Sequence, residues 1–266
     1  MSEQEEVVAE LGEAGVLDGV RWAYLSASDR TLSFYSEADG HDAAWLGNTR
    51  FTYFRDRLDR VFACGRYEVK PGSDGIDLDA LREQLSARDV ATMPRIATDL
   101  VRRSDLNGSP GWAYGERRFL LASCTYGKME NHPWPQKSRT KQNVARQCNP
   151  TPDPSLFDEH PDEEIGGLEA MLSTRYGLDM VTFVVGHSLD PLSQRVELVF
   201  GRARMNTGGG PAWYWRQHLL TAPPSPGGHR TDDMPLMPSG PSTAPDAEVR
   251  VRPQAERGRD RGSGKA

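Results

Sequence analysis

The stretch from Trp112 to Gln147 limits the fold more than any other part of the chain. It contains the run Arg117-Arg118-Phe119-Leu120-Leu121-Ala122-Ser123-Cys124-Thr125-Tyr126, whose apolar centre reads as a buried strand. The chain then enters His132-Pro133-Trp134-Pro135, where two prolines fix the backbone and remove its donors, so a rigid aromatic turn must interrupt regular structure. A basic segment follows, carrying Lys137, Arg139, Lys141 and Arg146. A chain with this stretch must build a sheet and must leave it at this point.

Periodicity and turn residues organise the rest. Residues 3–13 predict a short acidic helix with Val7, Val8 and Leu11 on one side, closed by Gly12 and Gly15. The aromatic and β-branched runs at 20–24 and 31–35 predict a hairpin joined through Ser26-Ala27-Ser28-Asp29-Arg30. Residues 49–63 admit either two strands or one helix; the spacing of Phe51, Phe54, Leu58, Val61 and Phe62 favours the helix, with a strand after it at 66–69. Leu78, Leu81 and Leu85 predict a helix over 77–87, and Pro94 suits the first turn of another over 94–104. Asn107-Gly108 is the strongest turn signal.

Further on, a helix is expected at 162–176, and a hairpin at 180–185 and 195–200 with His187 in its connection. Trp213-Tyr214-Trp215 opens the last element able to pack. From Ala222 onward Pro, Gly, Ser, Asp and Arg dominate, a composition that cannot form a core. The expected fold class is therefore α+β. Residues 1–221 form one domain, with an antiparallel or mixed sheet and helices mainly on one face. A sub-lobe break is expected near 108, and a disordered tail over 222–266.

Three cysteines, Cys64, Cys124 and Cys148, include no close pair, which fits a reducing compartment. The acidic start Ser2-Glu3-Gln4-Glu5-Glu6 lacks the basic and apolar regions of a signal peptide. No apolar run reaches the length of a membrane span. The expectation is a soluble cytoplasmic protein with no membrane partner. A formal charge of −6 argues against a broadly basic nucleic-acid binder, so any anion recognition must be local.

The leading candidate for such recognition is the basic segment. Lys128, Lys137, Arg139, Lys141 and Arg146 would neutralise phosphates, and Trp134 or Tyr126 would stack on a base. This predicts an accessory protein that binds nucleic acid or another polyanion. An acidic run, with seven carboxylates between Asp153 and Glu169, competes as an internal partner. An enzymatic alternative uses Asp59, Glu68 and Lys70 as a nuclease-type site, in which strand alternation would place Glu68 and Lys70 on one face around a Mg²⁺. No other cofactor is evident. Cys124, His132, Cys148 and His160 lack the tight spacing of zinc ligands. A third reading is a protein–protein adaptor that uses Trp213 and Trp215, which strand alternation would put on one side of the sheet.

Overall fold

The computed structural model describes residues 2–69, 79–147 and 178–220. Three helices come first: α1 (Glu3–Glu13), α2 (Val16–Phe34) and α3 (Ala43–Val61). A short helix α4 (Ala87–Thr92) precedes three strands, β1 (Val101–Arg103), β2 (Gly111–Tyr114) and β3 (Arg117–Ser123). Helix α5 (Arg139–Ala145) lies in the crossover to β4 (Val181–Leu189), β5 (Val196–Ala203) and β6 (Trp213–His218). The six strands form one sheet in chain order. Every neighbouring pair is antiparallel except β3 and β4, which run parallel. The architecture is α+β with a mixed sheet. No helix among the described residues is long and apolar enough to cross a membrane.

Strand alternation divides the core in two. Phe119, Leu121, Phe183, Val185, Leu198 and Phe200 face α1, α2 and α3. Leu120, Ala122, Val184 and Val199 face the opposite way, onto Trp134, Val144 and Ala145 of the crossover. The larger helical layer thus covers one face, as expected, while α5 and the turn before it cover part of the other. Helix α1 is docked by its acidic side: Glu3 accepts from Arg202 of β5 at 2.9 Å and from the Trp215 indole at 2.6 Å, and Glu6 pairs with Arg117 of β3 at 2.7 Å.

Several local expectations are corrected. The hairpin at 20–24 and 31–35 is instead helix α2. Its Trp22, Tyr24, Ala27 and Thr31 are all buried, because α2 is enclosed on several sides and shows no single apolar stripe. Gly19 permits that enclosure, since a Cβ there would meet Ile96 at 2.8 Å and Phe62 at 2.9 Å. Helix α3 confirms the helical reading of 49–63. The strand at 66–69 is absent; Gly65–Tyr67 form a single 3₁₀ turn after the left-handed Ala63.

Lys70 and residues 71–78 lie outside the described residues, and from Asp79 the chain makes one helical turn that ends by the left-handed Gln84. No helix spans 94–104: α4 stops before Pro94, and Val101 begins β1. The Asn107-Gly108 turn joins β1 to β2, both its residues having positive φ (47° and 77°). The helix at 162–176, Cys148, His160, the acidic run and the tail over 222–266 lie outside the described residues.

Asp59 ties α3 to the sheet. Its Oδ1 accepts from Arg103 Nη1 at 2.6 Å and from Trp112 Nε1 at 3.0 Å, and the buried Cys64 thiol lies 3.9 Å away. Burial raises the Asp59 carboxyl above its ordinary value, an effect that Arg103 opposes. Removing the carboxylate leaves Arg103 Nη1 and the Trp112 indole N–H without their acceptor, while Arg103 Nε keeps Asp105 at 2.6 Å. Asp59→Ala is expected to lower the unfolding free energy by about 3 kcal/mol in urea denaturation. The exposed Glu68→Ala should change it by less than about 0.5 kcal/mol.

Candidate functional site

Because β3 and β4 run parallel, their carboxyl ends lie side by side, the position at which open sheets of this kind collect ligands. Ser123 is in register with His187, and the Cys124 amide donates to the His187 carbonyl at 2.9 Å. His187 belongs to β4 and not to a hairpin connection, because that strand continues to Leu189. Its ring is completely buried between Tyr24 (centroids 5.7 Å apart) and Phe54 (5.3 Å). Neither ring nitrogen has a partner among the described residues.

Helix α3 sends Arg50 to the same place. Leu46, Arg50, Phe54 and Arg57 occur at helical spacing, so Arg50 sits on the buried stripe and is 4% exposed. Among the described residues its one hydrogen bond is long, Nη2 donating to Ser123 Oγ at 3.5 Å, and its Nε has no partner. The crossover closes in from the other side. Lys137 Nζ donates to the Ser123 carbonyl at 3.0 Å, and Lys141 stands one helical turn further on. His132 is buried edge-on against Trp134, with Nε2 unpartnered. Among the described residues no carboxylate lies within ion-pair distance of Arg50, Lys137 or Lys141. Glu197 is engaged by the Ser188 hydroxyl at 2.6 Å and the Gly127 amide at 3.0 Å.

These groups act on one another's charge. Burial, reinforced by Arg50, Lys141 and Lys137, holds His187 well below its ordinary pKa. Burial and the two lysines bring His132 down to about 4. Burial pushes the Cys124 thiol up to about 12 despite Lys137 and Lys141, and the Tyr24 phenol likewise to about 12. Burial and Lys137 lower Lys141, and burial lowers Arg50. At neutral pH the cluster is cationic, with neutral imidazoles and a neutral thiol. Such a set can receive an anion.

The basic segment contributes unevenly. Lys137 and Lys141 join the cluster. Lys128, Arg139 and Arg146 are exposed, and Arg146 reaches only Asn143. Trp134 is fully buried and its indole donates to the Ala212 carbonyl at 2.6 Å, so it serves packing and offers no face for stacking. Of the enzymatic trio, Asp59 is engaged by Arg103 and Trp112, Glu68 is exposed, and Lys70 is outside the described residues. Among the described residues no group of three or more His, Cys, Asp or Glu is placed to hold a metal.

Trp213 and Trp215 do not share a face. Trp215 pairs with Arg202 and Trp213 with Ala203, leaving Tyr214 as an extra residue in a bulge. Trp213 therefore enters the core under the crossover and Trp215 packs on the helical side. Both indoles donate inward, to Met129 O at 2.8 Å and to Glu3.

Arg50 and His187 carried a signal in the sequence. Arg50 is a charge on an apolar helical stripe, and His187 continues the alternation of Phe183 and Val185. Comparison with known proteins adds no further guide: no family model matches the chain, and neither a curated protein nor a solved structure does.

Both histidines have folded pKa values below their unfolded ones, so protonation favours the unfolded chain. The stability they leave intact at and above pH 6.5 is expected to fall as pH drops toward about 4. Thermal unfolding followed across that window should show the loss, and His132→Gln should flatten the slope.

Proposed function

We propose that the chain is a binding protein for an anionic ligand, whose charged group docks at the carboxyl ends of β3 and β4 among Arg50, Lys137 and Lys141. One observation carries this reading: Arg50 is buried, yet no carboxylate within reach among the described residues neutralises it. A buried guanidinium without a counter-ion costs several kcal/mol, so its retention there requires compensation. A bound anion supplies it. With His132, His187 and Cys124 neutral, the cationic heads of Arg50, Lys137 and Lys141 are the groups that would engage the ligand.

The ligand class is phosphate-bearing or otherwise strongly anionic. The exposed Lys128, Arg139 and Arg146 favour a second reading, in which the anion is one phosphate of a nucleic-acid strand that continues over α5. Stacking would then fall to Tyr126, which is partly exposed, because Trp134 is internal.

Isothermal titration with inorganic phosphate, and anisotropy with a labelled single-stranded oligonucleotide, separate the two. Lys137→Ala with Lys141→Ala is expected to weaken phosphate binding by about tenfold or more while the fold persists. If only the oligonucleotide binds, and Arg139→Ala with Arg146→Ala removes that binding, the second reading holds. Arg50→Met provides the sharper measurement. It should abolish binding and leave the free protein equally stable or up to about 2 kcal/mol more stable, as expected when an uncompensated buried charge is removed. Severe destabilisation by Arg50→Met, or phosphate binding unchanged in the lysine double variant, would refute the proposal.

A further inference from the structure

A second group of arginines lies further along α3, toward its C-terminal end, and has no residue in common with the strand-end cluster. Asp56 is its centre. Oδ2 accepts from Arg57 Nη1 at 2.5 Å and Arg60 Nε at 2.9 Å, while Oδ1 accepts from Tyr67 Oη at 2.8 Å and from Arg66. One carboxylate thus orients three guanidiniums. Arg57 also donates to Ser26 Oγ at 3.0 Å, and Arg60 to the carbonyls of Leu81 and Glu83, both at 3.0 Å. Arg60 and Arg66 also lie over the Tyr67 ring, at 4.3 and 4.7 Å.

Two adjoining clefts open around this centre, and both are lined by Thr52, Asp56 and Arg66. One, of about 240 Å³, adds Arg30, Arg57 and Arg60. The other, of about 270 Å³, adds Arg55, Arg103 and Asp59. The two carboxylates are already saturated, Asp56 as above and Asp59 by Arg103 and Trp112. Each cleft also contains an exposed arginine with no carboxylate within ion-pair distance among the described residues: Arg30, which rests on Phe34 at 4.3 Å, and Arg55. Glu83 and Asp89 act on Arg60 and Arg57 from farther out. Six arginines against Asp56 and Asp59, with Asp105 also paired to Arg103, leave a surplus of positive charge divided between the two clefts, with the head of Arg66, its side chain 66% exposed, between them.

We infer that this double cleft binds a small molecule with two linked anionic groups of the diphosphate class, one group in each lobe and Arg66 bridging them. Guanidinium forks match phosphate oxygens in pairs, and a ligand that reaches both lobes engages Arg30 and Arg55 at once. The size of the two clefts favours a compact diphosphate over an extended polymer. A single phosphate fills one lobe and gains half of these contacts.

The test uses the full-length chain carrying Arg50→Met, the variant expected to abolish binding at the strand-end cluster, with inorganic pyrophosphate and orthophosphate as probes in calorimetric titration. Pyrophosphate is expected to bind about tenfold or more tightly than orthophosphate. Arg66→Ala should remove that preference, and Arg30→Ala and Arg55→Ala should each lower pyrophosphate affinity. All three side chains are exposed, and circular dichroism verifies that the variants fold. Equal affinity for the two probes, absence of binding, or a preference that survives Arg66→Ala overturns the inference.

Discussion

The parallel pairing of β3 with β4 is the constraint on which the arrangement depends. Two antiparallel strands can be joined by a tight turn, whereas two parallel neighbours require the chain to travel back to the starting end of the sheet. The two meanders, β1–β3 and β4–β6, therefore meet at a seam that only a long crossover can serve. That crossover brings Trp134, Val144 and Ala145 onto the sheet face left open by the helices, and it carries Lys137 and Lys141 to the strand ends. The same seam aligns Ser123 with His187, so the core and the cationic cluster have one geometric origin.

Within that frame, charge is managed in two contrasting ways. Three arginines of the sheet are compensated: Arg117 by Glu6, Arg118 by Asp179 in a two-pronged pair at 2.7 and 3.1 Å, and Arg103 by Asp59. Arg50 and Lys141 have no carboxylate within reach among the described residues, although burial already disfavours their charge. Around Asp56 compensation is partial, one carboxylate organising three arginines. The contrast sets Arg50 and Lys141 apart from the paired arginines, which charge density alone does not. A net charge of −6 conceals local cationic surpluses that become visible only when each partner is assigned.

Much of the fold was legible because its patterns were local. Helix α1, helix α3, the strand at 117–123, the Asn107-Gly108 turn and the β4–β5 hairpin follow from spacing and turn chemistry. Helix α2 was not, because a helix enclosed on several sides loses its stripe, and its Trp22 and Tyr24 then resemble strand residues. The site was legible in part. Lys137 and Lys141 were singled out by charge, while Arg50 comes from a different element 87 positions before Lys137, and only tertiary packing unites them. Trp134 was misassigned to recognition for a similar reason: exposure depends on what the crossover covers, and no local pattern reveals that. The rule of strand alternation failed at Trp213 and Trp215 because one extra residue, Tyr214, shifts the phase.

That shift also bears on how the sheet ends. An edge strand presents unpaired backbone groups to which a second chain can add, and long, flat edges invite such association. Here β6 is kinked at Tyr214, and the Gln4 side chain of α1 reaches the Arg216 carbonyl at 3.4 Å. At the other margin β1 has only three residues, two of them the arginines Arg102 and Arg103. Among the described residues neither margin offers a long, smooth ladder. The irregularity that sends two tryptophans into opposite cores thereby guards the sheet against growing by one strand from a neighbouring molecule.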